Sequence, residues 1–160
     1  MDDEQWDFYL IQNGTYTYAG ISPDPIKRLQ KHNGEIYGGA KYTTSKGSGW
    51  KHICLVKGFP TKIEALQFEW AVKHEPPRNV GGVDSRIKKL YKVLCKEKWT
   101  NKSPYAETIP LFVEWKIPVD HIQHQEVPLY IWKKKITYYL YQKKTVLLKW
   151  GNLKKKYYRK

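Results

Sequence analysis

Hydrolysing a phosphodiester requires a group that activates water, cations that stabilise charge on the phosphoryl oxygens, and help for the departing 3′ oxygen. The first 70 residues of this chain hold side chains suited to each task. Tyr9 and Tyr18 offer phenols, Arg28 a fork-shaped cation, His32 a titratable imidazole, and Glu69 a hard oxygen ligand for Mg²⁺ or Mn²⁺. Each also has an ordinary structural role, because tyrosines on strands pack and an arginine on a helix face is usually solvated. The chemistry depends on whether local structure gathers the five.

The elements that must position them are legible from pattern. Residues 7–12 and 15–21 are rich in aromatic and β-branched types and flank Asn13-Gly14, which signals a hairpin. A turn centred on Asn13-Gly14 pairs Gln12 with Thr15, Leu10 with Thr17 and Tyr9 with Tyr18, setting the two phenols side by side on one sheet face. Pro25 after Asp24 opens a helix that stops at Asn33-Gly34. Arg28 and His32, four apart, share one face of it, and Ile26 and Leu29 are expected to point to the core. Residues 34–49, with five glycines, read as a mobile basic loop, and Trp50 to Val56 as a third strand.

Thr61 and Glu64 form a capping box that opens a helix from Thr61 to His74. At helical spacing Ile63, Leu66 and Trp70 cluster on one side and Ala65, Phe68 and Val72 on the other. Glu69 falls between them, inside the apolar arc, where a carboxylate needs a partner. An i,i+4 pair with Lys73 satisfies it, and so does a metal or catalytic role. A further helix is expected from Asp84 to about Lys98 with Ile87, Leu90, Tyr91 and Leu94 inward, and a short strand within Ile109 to Trp115. Beyond Pro128, Tyr130 to Tyr141 and Thr145 to Trp150 fit two strands or a helix, with β-branched and aromatic content favouring strands.

Composition narrows the class. With 160 residues, 41% hydrophobic and 15% aromatic, the chain has material for one core. Its longest apolar runs fall far short of the roughly 20 residues that span a bilayer, and the acidic start is wrong for a signal peptide, so an intracellular protein with no membrane partner is expected. Cys54 and Cys95 are the only cysteines and form no CxxC pair, which argues against structural zinc and reads Cys54 as a buried, inert thiol. His121 and His124 at i,i+3 have no nearby cysteine or third histidine to complete a metal site. The net charge of +14 is concentrated at one end: the last 34 residues hold 11 of the 29 basic residues and no acid, interleaved with tyrosines and tryptophans. That mixture suits phosphate neutralisation with base stacking, or else a lysine-solvated surface over an aromatic core. Lys41, Lys46 and Lys51, with Lys133, Lys134, Lys135, Lys143 and Lys144, are the candidate DNA contacts.

Phe8-Tyr9-Leu10 and Tyr18-Ala19-Gly20 resemble degenerate forms of the two motifs that name the GIY-YIG nuclease family. Arg28, His32 and a later helical glutamate then follow in that family's order. The segment from Asp24 to Asn33 is similar to the first helix of the Slx-type structure-specific endonuclease subunit. Thr43-Thr44-Ser45-Lys46-Gly47, Trp50-Lys51, Lys57-Gly58-Phe59-Pro60 and Phe68-Glu69-Trp70-Ala71 are similar to its later segments. The resemblance implies an α+β fold with a small three-stranded antiparallel sheet flanked by helices over residues 1–100, followed by a basic, aromatic C-terminal extension over 101–160. It also implies a metal-dependent DNA endonuclease in repair or recombination, acting in the nucleus or at the site of replication, with a scaffold protein or a second copy as partner. In that reading Glu69 holds one Mg²⁺ or Mn²⁺, Tyr9 takes the proton from water with its phenol made more acidic by Arg28 and the metal, Arg28 holds phosphoryl oxygens, and Tyr18 and His32 assist. Asn79 is the candidate for an asparagine that several members place after the glutamate. The chain departs from the Slx type in lacking the cysteines of its RING-like zinc domain. A catalytically inactive nucleic-acid-binding protein, or a structural protein whose basic tail is a targeting signal, are the competing readings.

Overall fold

Asn13-Gly14 does turn the chain, but the hairpin closes one residue later than its sequence suggests. In the computed structural model, which describes residues 4–117 and the backbone of 137–140, strands β1 (Asp7–Asn13) and β2 (Tyr16–Ser22) pair with Asn13 opposite Tyr16. Gly14 and Thr15 are the turn residues, with Gly14 at φ 58°, where a residue without Cβ is unstrained. The reason lies outside the hairpin. Asn13 is held as a strand residue because its amide donates to the carbonyls of Lys46 and Ser48. The shift places Tyr9 opposite Gly20 and Tyr18 opposite Ile11, so the two phenols are diagonal neighbours rather than a direct pair.

The other elements are α1 (Pro25–His32), α2 (Lys41–Ser45), β3 (Lys51–Lys57), α3 (Lys62–His74), α4 (Val83–Leu94), β4 (Phe112–Trp115) and β5 (Thr137–Leu140). The strands form one sheet in the order β2-β1-β3-β4-β5, antiparallel except for the parallel β4–β5 pair. The expected three strands are thus extended by two. The segments expected beyond Pro128, β5 apart, lie outside the described residues, as do His121 and His124.

Alternation along β1 divides the interior in two. Phe8 and Leu10 face the main core, where Phe68 and Ala65 of α3, Leu90 and Leu94 of α4, and Val113 and Trp115 of β4 are buried. Tyr9 and Ile11 face the opposite side, in a smaller cluster with Trp50 and Leu55 and with Tyr18 and Leu29 packed against it. A register shift in the β1–β3 ladder falls between Leu10 and Ile11, next to Tyr9.

The helices begin where their caps dictate and bury what the sheet presents. Asp24 caps α1 by accepting from the Lys27 N–H, and the capping box of Thr61 and Glu64 opens α3. Two expected core faces are wrong. Ile26 is 72% exposed, and only Leu29 of that pair packs inward. On α3, Ile63, Leu66 and Trp70 face outward, while Ala65, Phe68, Ala71 and Val72 are buried. Phe68 sets that rotation by meeting Phe8 edge-on at 5.1 Å, Trp99 edge-on and Phe59 at a tilt. Helix α4 stops at Leu94, short of Lys98, with Ile87, Leu90, Tyr91 and Leu94 buried as expected. Residues 34–49 are also more ordered than a bare loop, since they contain α2.

Candidate active site

Tyr9 enters the smaller cluster from the centre of the sheet, 2% exposed, and its ring crosses over Gly20. A Cβ at position 20 would stand 2.4 Å from the phenol oxygen, so the glycine of the second motif is required by space for Tyr9 rather than by its own backbone. His32, at the end of α1 and 1% exposed, meets Tyr9 with Nε2 2.8 Å from Oη. Its other nitrogen, Nδ1, lies 2.7 Å from Thr43 Oγ1 on α2.

That pair of contacts fixes the proton positions. The Thr43 hydroxyl donates to the Ala40 carbonyl at 2.9 Å, so towards His32 it acts as acceptor and Nδ1 carries the hydrogen. Nε2 is then the bare nitrogen and accepts from the Tyr9 hydroxyl. The result is a directed chain from Tyr9 through His32 to Thr43. Burial, with the charges of Arg28 and His52 adding to it, lowers the His32 pKa from 6.5 to about 4, which keeps the ring neutral and able to accept.

Arg28, one turn before His32, reaches back with Nε 3.4 Å from Tyr9 Oη while Nη1 donates to the Gly38 carbonyl at 3.0 Å. Gly38 can aim that carbonyl because its φ is 110°, a conformation other residues resist. Arg28 is therefore half-buried on the site wall and not on an exposed helix face. Its charge does not make Tyr9 acidic: burial outweighs the hydrogen bond from Arg28 and pushes the phenol up to about 12. The expected lowering by Arg28 is thus present but smaller than the rise caused by burial.

Tyr18 completes the aromatic wall, its ring 6.4 Å from that of Tyr9 and 5.0 Å from that of His32. From the other side, α3 brings Glu69 and Lys73. The carboxylate is only partly exposed, Lys73 Nζ lies 2.5 Å from Oε1, and the ammonium sits 5.4 Å from the Tyr18 ring centre. The i,i+4 partner considered for Glu69 is therefore present, and it stands beside the tyrosine pair rather than away from it. The charge of Glu69 also opposes ionisation of Tyr9.

Among the described residues no group of three or more His, Cys, Asp and Glu could hold an ion. A single partly buried carboxylate still fits Mg²⁺ or Mn²⁺ of the kind that retains several waters and takes further ligands from a substrate phosphate. Cys54 is buried, its thiol pushed up by burial, and plays no part. Asn79 is exposed. Of the candidate DNA contacts, Lys41 and Lys51 are exposed and Lys46 lies over aromatic rings beside the site, whereas Lys133, Lys134, Lys135, Lys143 and Lys144 lie outside the described residues.

Several participants receive no role from the sequence, although Thr43 and Trp50 stand in segments similar to the Slx type. Thr43 and Gly38 act through contacts that arise only when α2 and its approach fold over α1. Asn33 clamps that arrangement by accepting from the N–H groups of Gly49 and Trp50 and donating to the Trp50 carbonyl. The Trp50 indole in turn donates to the carbonyls of Thr43 and Gly47. Trp50 reads in the sequence only as the start of the third strand, and its function as an anchor for Thr43 is not legible there.

The same segment matches known proteins. The family model of the GIY-YIG catalytic domain matches residues 5–78. The chain is 60% identical over 57 residues to the structure-specific endonuclease subunit slx1 of Schizosaccharomyces japonicus, covering 36% of this chain and 20% of that protein. Identity is 52% over 59 residues with the subunit of the same name from Schizosaccharomyces pombe, 37% and 21% of the two chains. It is 38% over 93 residues with that of Cryptococcus neoformans var. neoformans serotype D, 56% and 19%. The matched segments thus span about a fifth of each relative's length. The site residues, set between β1, β2, α1 and α3, lie inside this matched segment, and residues 5–78 are similar to the GIY-YIG catalytic domain.

Proposed function

We propose that the chain is a divalent-metal-dependent DNA endonuclease that acts on branched or flap DNA. The observation that carries this reading is the directed hydrogen-bond chain Tyr9–His32–Thr43, with Arg28 on the same phenol and the Glu69 carboxylate acting on it from α3. The names of the relatives, all structure-specific endonuclease subunits, support the substrate class and a protein partner. Action on DNA inside the cell, in the nucleus or at a replication site, follows from that substrate. Among the described residues no helix is long and apolar enough to cross a membrane.

In this mechanism Tyr9 Oη accepts a proton from the attacking water as its own proton passes to His32 Nε2. A phenol pushed up to about 12 is a poor base alone, so the simultaneous transfer to a neutral imidazole is what makes the step feasible. Arg28 holds phosphoryl oxygens with guanidinium N–H groups not engaged by Tyr9 and Gly38. Glu69 is the residue that would hold the divalent cation, which when bound supplies positive charge to the phosphoryl and leaving oxygens. Lys73 pairs with the Glu69 carboxylate and sits over the Tyr18 ring.

The direct test is incubation of the purified chain with labelled duplex, flap and four-way-junction DNA in Mg²⁺, Mn²⁺ or EDTA. Metal-dependent nicking of at least one branched substrate is expected. Binding without cleavage of any substrate would favour the inactive, DNA-binding alternative.

The relay also sets a pH dependence. Because the folded pKa of His32 lies below its ordinary value, the ring stays neutral as pH falls from 7 to 5 and loses its acceptor only near pH 4. Nitrogen NMR of the imidazole is expected to show an Nδ1–H tautomer with a midpoint of about 4, and cleavage should be insensitive to His32 protonation between pH 5 and 7. A midpoint near 6.5 would remove His32 as the acceptor.

A further inference from the structure

A strip of aromatic rings and one lysine runs out of the site along the edge formed by β2 and α2. Tyr18, in the catalytic wall, stacks on Tyr42 with ring centres 6.3 Å apart and planes 19° from parallel. Lys46 Nζ then lies 5.7 Å from the centre of Tyr42 and 4.5 Å from that of Tyr16. The inner end is partly buried, whereas Tyr42 is 44% and Tyr16 45% exposed. Two large rings at that exposure are not explained by core packing, and both lie beside a cation that can neutralise phosphate.

The strip is also rigidly supported. Its lysine segment is tied to the hairpin by Asn13, which donates to the carbonyls of Lys46 and Ser48. Tyr42 rests near the buried Trp50, 6.4 Å between ring centres, and Trp50 anchors α2 through the carbonyls of Thr43 and Gly47. Rings held this way lose little freedom when a flat ligand stacks on them.

Resting on the nuclease reading above, we propose that Tyr42 and Tyr16, with Lys46 between them, form a stacking platform for unpaired bases of the DNA strand that leaves the scissile phosphate. Exposed π-faces accept any base, and Lys46 takes the accompanying phosphate, so recognition is for single-stranded character and not for sequence. A fully paired duplex keeps its bases stacked on one another and cannot use the platform. The enzyme therefore selects substrates in which the strand next to the cut is unpaired.

The test uses a forked DNA carrying 2-aminopurine in its single-stranded arm beside the junction, with the full chain in EDTA so that nothing is cut. Wild-type protein should quench the probe on binding. The Tyr16→Leu/Tyr42→Leu variant should not quench it and should bind the fork roughly tenfold more weakly, with blunt duplex affinity unchanged. Tyr16→Leu alone, at the exposed end of the strip, should weaken fork binding without altering the melting temperature, and Tyr16→Trp should restore it. Quenching and fork affinity equal to wild type in both leucine variants would overturn the platform while leaving metal-dependent cleavage intact. Failure of the wild-type chain to bind or cut any DNA would overturn the nuclease reading and the platform with it.

Discussion

Glu69→Gln is expected to reduce cleavage by orders of magnitude while DNA binding survives. The substitution keeps the size and hydrogen-bonding shape of the side chain but removes the charge that would hold a hard divalent cation. Loss of a negative charge beside DNA phosphates also favours the bound state, which makes this variant suited to trapping a complex. The neighbouring lysine supplies the control. Lys73 pairs with Oε1 at 2.5 Å from a partly exposed position, and such an i,i+4 pair stabilises a helix by about 0.5 kcal/mol. Lys73→Ala should therefore leave the fold nearly unchanged. It should lower the metal concentration needed for half-maximal cleavage, because the ammonium no longer competes for the carboxylate. The measurement is a Mg²⁺ and Mn²⁺ titration of both variants beside wild type. Normal metal-dependent cutting by Glu69→Gln would leave Glu69 as a structural partner of Lys73 and remove the metal site from the mechanism.

Arg28→Ala should cost roughly 100- to 1000-fold in kcat, the range found when one donor to a developing anion is removed. The side chain is bonded to the Gly38 carbonyl and the Tyr9 phenol from a half-buried position, so its loss also costs about 1–2 kcal/mol of stability. DNA affinity should fall only modestly, since one cation among many contributes little to neutralising phosphates. Arg28→Lys separates charge from geometry: it retains the cation but cannot span Gly38, Tyr9 and a phosphoryl oxygen together. Single-turnover cleavage beside a melting curve makes the comparison. Activity restored by lysine would mean that Arg28 acts as a point charge, and full activity in the alanine variant would exclude it from the site.

The limits of each element were legible wherever the determinant was local. Pro25 after Asp24, Asn33 at the helix end, and the Thr61–Glu64 box act within one turn of chain, and α1 and α3 begin and end where these residues place them. Spacing within a helix likewise placed Arg28 and His32 on one face, and the order of Tyr9, Tyr18, Arg28, His32 and Glu69 was enough to bring the GIY-YIG resemblance into view.

What the chain alone left open were quantities set by a second element. The hairpin register follows from Asn13 bonding to carbonyls more than 30 positions away, a contact with no local trace, and it moves Tyr9 from Tyr18 to Gly20. The buried face of α3 is selected by Phe8, Phe59 and Trp99 closing around Phe68, which turns Ile63, Leu66 and Trp70 to solvent although their spacing is as helical as that of the buried set. The protonation of the site is a tertiary property too. Residue types put a phenol and an imidazole in the chain, but the direction of the proton between them depends on a threonine hydroxyl that has already committed its hydrogen to Ala40. Burial then shifts both groups in the senses that keep phenol and imidazole neutral. Sequence determines which groups are available because chemistry is carried by side chains; tertiary structure decides how they act because hydrogen-bond direction and desolvation belong to the contacts between elements.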